Sequence, residues 1–130
     1  MIKLMLLLAG ITTPIFEVDQ EESKHDDMIE IIQNDLMLEM ADFQFIQDTA
    51  KQVFYSAEMI EDPEAMKCIE SSLGAINMLN KPVDFEYGSA MKAIQVQQID
   101  LAEFHLVQLI NVVDKAENIL TKAEQCLWAE

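Results

Sequence analysis

The chain contains no arginine, and this absence limits what it can bind. All eight basic residues are lysines, and they are set against 24 aspartates and glutamates, so the formal net charge is −16. Arginine is the side chain best suited to grip phosphate, and nucleic-acid binding requires a basic surface. We therefore expect no direct nucleic-acid binding, whereas the negative field should attract basic proteins. The alternative is that the acidity serves solubility alone.

Glycine and proline are equally scarce, with three of each in 130 residues. About half of the residues are apolar, which argues against an intrinsically disordered chain. Met, Leu, Ile, Ala, Glu and Gln dominate the rest of the composition, and these residues favour helix over strand. A chain of this length is long enough for one domain with one core.

Catalytic signatures are also missing. The three glycines stand alone, so no phosphate-binding loop exists, and no serine lies in a nucleophile elbow. His25 and His105 are the only imidazoles, and Glu22 with His25 is the only Glu-x-x-His pair, whereas a di-iron bundle needs two. We therefore predict that the protein is not an enzyme and that it uses no cofactor and no metal.

Two cysteines, Cys68 and Cys126, are too few for a disulfide framework. We expect two free thiols in a reducing compartment and a cytoplasmic protein, with one bridge as the alternative. The first sixteen residues carry Lys3 followed by an apolar run, which resembles a short signal peptide without a good cleavage site. Secretion is therefore the second possibility for localisation. The run is too short to span a membrane.

Two segments repeat apolar residues every seven positions, at alternating steps of three and four. A helix with this period shows one continuous apolar face, which another helix must cover. The first face is interrupted by one charged residue, Glu39, which we place at its edge, the alternative being a polar residue that specifies register. The two faces comprise Ile29, Ile32, Leu36, Glu39, Phe43, Ile46, Ala50, Val53, Ala57 and Ile60, and then Ile99, Ala102, Leu106, Leu109, Val113, Ala116, Leu120, Ala123 and Leu127.

The stop and start signals between these segments predict a single all-α domain. Asp62 followed by Pro63 is a typical helix restart, and Asn80 to Pro82 reads as a helix stop before a loop over 83–88. The expected fold is an antiparallel long helical hairpin with a shorter third helix, forming a small helical bundle. Its predicted parts are an apolar N-terminal segment (1–16), an acidic connector (17–27) and helices at 28–60, 63–79 and 89–128.

Apolar residues remain outside the two faces, in one group on each long helix. Ile31, Leu38 and Phe45 repeat at seven on the first helix, and Ile94 and Leu101 do so on the second, with Phe104 beside them. The N-terminal segment or the middle helix, a second copy of the chain, or a partner helix could cover them.

An acidic helical surface with spare apolar residues predicts a protein-binding module. Such a module holds or blocks a basic or amphipathic partner, as a chaperone or an inhibitor does, or mimics DNA with its carboxylates. The alternative is a structural subunit of a homodimer or larger homo-oligomer, in which copies of the chain bury the leftover apolar residues, or of a secretion-type assembly. The last helix resembles the closing helices of small secretion-system rod proteins in its periodicity, glutamines and lysine-rich end. The candidate partner-binding residues are Ile31, Asp35, Leu38, Asp42, Phe45, Glu58 and Glu61.

Overall fold

Four α-helices and no strand make up the described part of the chain. This computed structural model describes the backbone of residues 13–128 and the side chains of residues 25–128. The helices are α1 (Thr13–Met59), α2 (Pro63–Met78), α3 (Asn80–Gln95) and α4 (Ile99–Trp128). The predicted all-α helical bundle is confirmed. The first twelve residues of the predicted N-terminal segment lie outside the described residues.

The helix α1 begins earlier than predicted. The acidic stretch at 17–27, expected to be a connector, is helical. No glycine or proline occurs between Pro14 and Pro63, so nothing in the local sequence interrupts the helix. The restart at Asp62 is confirmed, because its carboxylate accepts hydrogen bonds from the backbone N–H groups of Glu64 and Ala65, both at 3.1 Å.

The predicted loop at 83–88 is wrong, because these residues belong to α3. Helices α2 and α3 follow each other across Leu79 alone, which keeps helical backbone angles (φ −79°, ψ −8°). Pro82 has no N–H to donate to the Met78 carbonyl, and this missing bond breaks the ladder of helical hydrogen bonds between α2 and α3. Pro82 occupies the first turn of α3, where an N–H has no partner inside the helix in any case. The two helices therefore act as one kinked rod.

The predicted helix at 89–128 is interrupted at residues 96–98. The Gln97 N–H bonds to the Ile94 carbonyl at 3.0 Å and the Gln98 N–H to the Ala93 carbonyl at 2.8 Å, which is the Schellman pattern of a helix end. Gln97 takes the left-handed position (φ 60°) that glycine usually fills. Because neither glycine nor proline marks this site, only the packing of α3 against α4 requires the chain to reverse here.

The three rods α1, α2–α3 and α4 pass up and down in turn. Side chains of α1 near Val53 pack against Ala65 and Ile69 of α2, and the Gln47 side chain donates a hydrogen bond to Asn80 at 2.9 Å, so α1 and α2 are antiparallel. The kinked rod and α4 are antiparallel as well, because α3 packs on the start of α4 and α2 on its end. Consequently the two longest helices, α1 and α4, run in the same direction, and the antiparallel pairing predicted for the long helices is wrong.

The seven-residue faces form the core. A larger core cluster occupies most of the bundle, and a smaller one of Val53, Ala57, Ala65 and Ile69 lies near the α1–α2 turn. Of the nine residues predicted on the α4 face, the first eight are buried and Leu127 is half-buried. Of the face predicted on the first long helix, Ile60 is exposed, because α1 has ended at Met59. Besides Val53 and Ala57, the buried residues of that face are Ile32, Leu36, Phe43, Ile46 and Ala50.

The two cysteines form a disulfide, contrary to the expected free thiols. Cys68 of α2 and Cys126 of α4 are bridged, with their Cα atoms 6.1 Å apart. This separation lies within the usual range for a disulfide. The bridge joins the kinked rod to the end of α4 beside the smaller core cluster.

Candidate interaction surface

A groove runs between the two parallel helices α1 and α4. Near the middle of α1, Asp42, Phe45 and Ile46 line a depression together with Glu117 and Leu120 of α4. Because α1 and α4 run in the same direction, each further turn of one helix meets the next turn of the other. The boundary between the two helices therefore continues along the bundle in both directions from this depression.

Five carboxylates cluster along this groove: Asp35, Glu39 and Asp42 on α1 and Asp114 and Glu117 on α4. We call this set the acidic groove. Glu39 is half-buried, which agrees with a place at the edge of the apolar face. Partial burial raises the pKa of Glu39, and the negative charges of Asp42, Asp114, Asp35 and Glu117 raise it further. The four other carboxylates are thus close enough to Glu39 to disfavour its charged form.

Among the side chains of residues 25–128, no base forms an ion pair with the acidic groove. Among the described side chains the only ion pair is His105 with Glu86, which lies between α3 and α4. Lys115 follows Asp114 directly, but one residue along a helix turns the side chain by about 100° away. The groove therefore presents uncompensated negative charge to whatever lies in it.

An apolar stripe borders the acidic groove on α1. Its members are Ile31, Leu38 and Phe45, which are 58%, 61% and 69% exposed. They repeat at seven residues and extend over about 21 Å of helix. No side chain of residues 25–128 covers them, so coverage by the middle helix, one of the alternatives considered above, does not occur. The stripe and the acidic groove together form a surface that is both apolar and anionic.

The structure brings together five of the seven predicted binding residues. Ile31, Asp35, Leu38, Asp42 and Phe45 share the side of α1 that borders the groove. Glu58 and Glu61 do not join them, since they line a separate depression beside α2, about 20 Å further along the helix from Phe45.

Sequence reasoning missed the contribution of α4 to this surface. Glu117 directly follows Ala116 of the apolar face, at a position where neighbouring helices bring charges together, and Asp114 lies three residues before it on α4. Their place in the heptad could have pointed to them, but only once the two long helices were known to be parallel.

The pair of His105 and Glu86 offers no catalytic arrangement. The Nδ1 atom of His105 lies 2.8 Å from Oε2 of Glu86, and Ser89 lines the same depression. Ser89 makes no hydrogen bond with His105, and the backbone N–H groups around it lie inside α3, where they cannot serve an oxyanion. The described contact with Glu86 therefore holds the imidazole in place.

Two further properties of the described residues bear on the surface. Between residues 13 and 128 no helix is both long and apolar enough to cross a membrane. Within the same part of the chain, no three His, Cys, Asp or Glu side chains are arranged to hold a metal ion.

No protein-family model matches this chain, and neither a curated protein nor a solved structure matches it, so a proposal about its function has to come from the groove itself.

Proposed function

We propose that this protein is a non-enzymatic binding module that holds a basic amphipathic helix in the acidic groove. The single observation that carries the proposal is the coincidence of five uncompensated carboxylates with an exposed apolar stripe along one groove. Each feature alone is common on protein surfaces. Together they match a helix that is apolar on one side and basic along its edges.

The partner helix has a defined pattern in this proposal. The three rods leave α1 and α4 side by side with an open groove, and a fourth helix in that groove completes a four-helix bundle. To meet Ile31, Leu38 and Phe45, the partner needs apolar residues at intervals of seven, and to meet the carboxylates it needs Lys or Arg beside them.

The two features contribute differently to binding. Burying the exposed parts of the apolar stripe gains on the order of 3–5 kcal/mol before the costs of association. The carboxylates mainly speed the encounter and select basic partners, and their contribution falls as salt is added. Basic residues of a bound partner helix also reduce the repulsion among the five carboxylates. A protein that acts only by binding such a helix would serve as a chaperone or an inhibitor.

A DNA mimic remains the related alternative, in which carboxylates stand in for phosphates. A mimic depends on charge and binds a nucleic-acid-binding protein, so its affinity should fall steeply with salt. The apolar stripe within the groove supports capture of an amphipathic helix instead.

The disulfide bears on where the protein acts. Structural disulfides persist in oxidising compartments and are rare in the cytosol. The bridge between Cys68 and Cys126 therefore supports secretion over the cytoplasmic localisation expected from the sequence.

The test is a titration of a fluorescent 21-residue model peptide with leucine at every seventh position and lysine beside each leucine. We expect Leu38→Gln to weaken binding about tenfold, which corresponds to about 1.4 kcal/mol of lost apolar contact. The matched control is Met37→Gln, because Met37 is 64% exposed on the same helix but points away from the groove.

The charged part of the groove is tested in the same way. Asp42→Asn should weaken binding at low salt and matter less at high salt, whereas Asp48→Asn on the far side of α1 should have no effect. Equal effects of Leu38→Gln and Met37→Gln contradict the proposal. Binding that disappears at 0.5 M salt and ignores Leu38→Gln supports the DNA mimic.

A further inference from the structure

A second apolar surface lies on the opposite side of α4, between α3 and α4. Phe85 of α3, Val96 directly after α3, and Leu101 and Phe104 of α4 form it, and we call it the neutral patch. Each of the four is between 43% and 64% exposed. Leu101 and Phe104 belong to the second apolar group noted in the sequence, whereas Ile94 of that group is buried in the core.

The four side chains form one continuous surface. The rings of Phe85 and Phe104 both meet the His105 ring edge-on, with centroids 6.2 and 5.2 Å away. Val96 and Leu101 line a depression that His105 also lines. The half-buried imidazole therefore links the two phenylalanines to the aliphatic residues.

Charge is almost absent from the neutral patch, unlike the rest of the molecule. Residues 79–108 contain four acids and two lysines, whereas residues 25–64 contain eleven acids and one lysine. One of those four acids, Glu86, is already paired with His105. Asp84, Asp100 and Glu103 each precede a patch residue and point about 100° away from it. The only formal charge that lines the depression itself is Lys92.

We propose that the neutral patch is the interface of a homodimer, with the same patch of a second copy as its occupant. Two molecules that each carry a charge of −16 repel each other over most of their surface. They can approach most readily where the charge is lowest, and here that region is also apolar. A basic partner, in contrast, is drawn to the acidic groove.

The size of the neutral patch fits this occupant. Its four side chains expose on the order of 400 Å² of apolar surface, given that a phenylalanine buries about 150–250 Å² in full. A standard interface buries about 800 Å² on each partner, of which somewhat more than half is apolar. Placing the same patch on both copies about a two-fold axis gives a closed dimer and leaves both acidic grooves free.

The test is sedimentation equilibrium of the full chain at 0.05 and 0.5 M NaCl. We expect a dimer whose association tightens as salt screens the repulsion between the copies. This is the opposite of the salt dependence expected for peptide binding in the acidic groove, so the two surfaces can be distinguished in one protein. Phe104→Glu should raise the dimer dissociation constant at least tenfold and leave peptide binding unchanged.

Leu38→Glu is the matched control, because Leu38 is comparably exposed but lies in the apolar stripe. Circular dichroism and the intact disulfide establish that each variant is folded, and Val96→Asp replaces Phe104→Glu if the latter fails to fold. A monomer at every concentration and salt overturns the proposal. Dissociation by Leu38→Glu with no effect of Phe104→Glu also overturns it, and assigns the dimer to the stripe.

Discussion

Removing the disulfide should destabilise one end of the bundle more than the other. The perturbation is the double substitution of Cys68 and Cys126 by serine. The two cysteines lie 58 positions apart in the sequence. Closing a loop of that length in the unfolded chain removes entropy worth about 4 kcal/mol at 25 °C, so the free energy of unfolding should fall by about that much. For a chain of this size, Tm should fall by about 10–20 °C.

The local effect follows from the smaller core cluster. The bridge lies beside Val53, Ala57, Ala65 and Ile69, which are buried but form a cluster separate from the main core. Two of these four are alanines, which bury little apolar area, so this end has little stability of its own. Without the bridge, the C-terminal turns of α4 should open locally before the bundle unfolds.

Two measurements check this prediction. Guanidinium unfolding gives the change in free energy, and hydrogen exchange followed by mass spectrometry locates it. Exchange should accelerate at residues 53–69 and 120–128 and stay slow at 90–113. Reduced wild type should behave like the double serine variant, on which a reductant should have no effect. A loss below about 1 kcal/mol, or acceleration spread evenly over the chain, would refute the reasoning.

Two further predictions concern the acidic groove and the turn before α4. Burial and four neighbouring carboxylates raise the pKa of Glu39 above its ordinary value of 4.5, so its ionisation destabilises the folded state. Glu39→Gln should therefore increase the free energy of unfolding at pH 7. The increase should not exceed about 1 kcal/mol, because solvent screens the charges in the groove. It should shrink as the pH falls through the raised pKa of Glu39 and vanish below about pH 4.5. Urea unfolding at pH 7 and pH 4 checks the sign, and a gain that grows on acidification contradicts it. Gln97→Gly should increase the free energy of unfolding by about 0.5–1 kcal/mol, because Gln97 has a φ of 60° that favours glycine. Gln98→Gly, which has no positive φ to relieve, is the control, and an equal gain there would contradict this explanation.

Much of the fold follows from local sequence. The alternating steps of three and four select the residues that are buried on α4, from Ile99 to Ala123, because a helix places such positions on one side. Asp62 and Pro63 mark the turn between α1 and α2, because an N-cap forms its hydrogen bonds with residues next to it in the sequence. The leftover residues Ile31, Leu38 and Phe45 are exposed, as their place outside the buried face implies.

Other features have no local signal. The reversal at Val96–Gln98 contains neither glycine nor proline, and a helix could continue through it if α3 and α4 did not pack together. Pro82 is compatible both with the end of a helix and with the first turn of a new one. Only the burial of Val83 in the core makes Pro82 part of the first turn of α3. Cys68 and Cys126 become neighbours only because the kinked rod returns along α4.

The candidate surface likewise has one part that follows from local sequence and another that depends on how the helices pack. Six of its eight residues, from Ile31 to Phe45, lie on α1, so periodicity alone places them together. The other two, Asp114 and Glu117, lie on α4, far along the sequence, and their contribution depends on α1 and α4 being parallel. The sequence by itself determined the buried faces, the composition of the stripe and the excess of negative charge, because these depend on helical period and residue type. Only the tertiary structure decided which carboxylates share a groove, since that depends on the direction in which each rod returns.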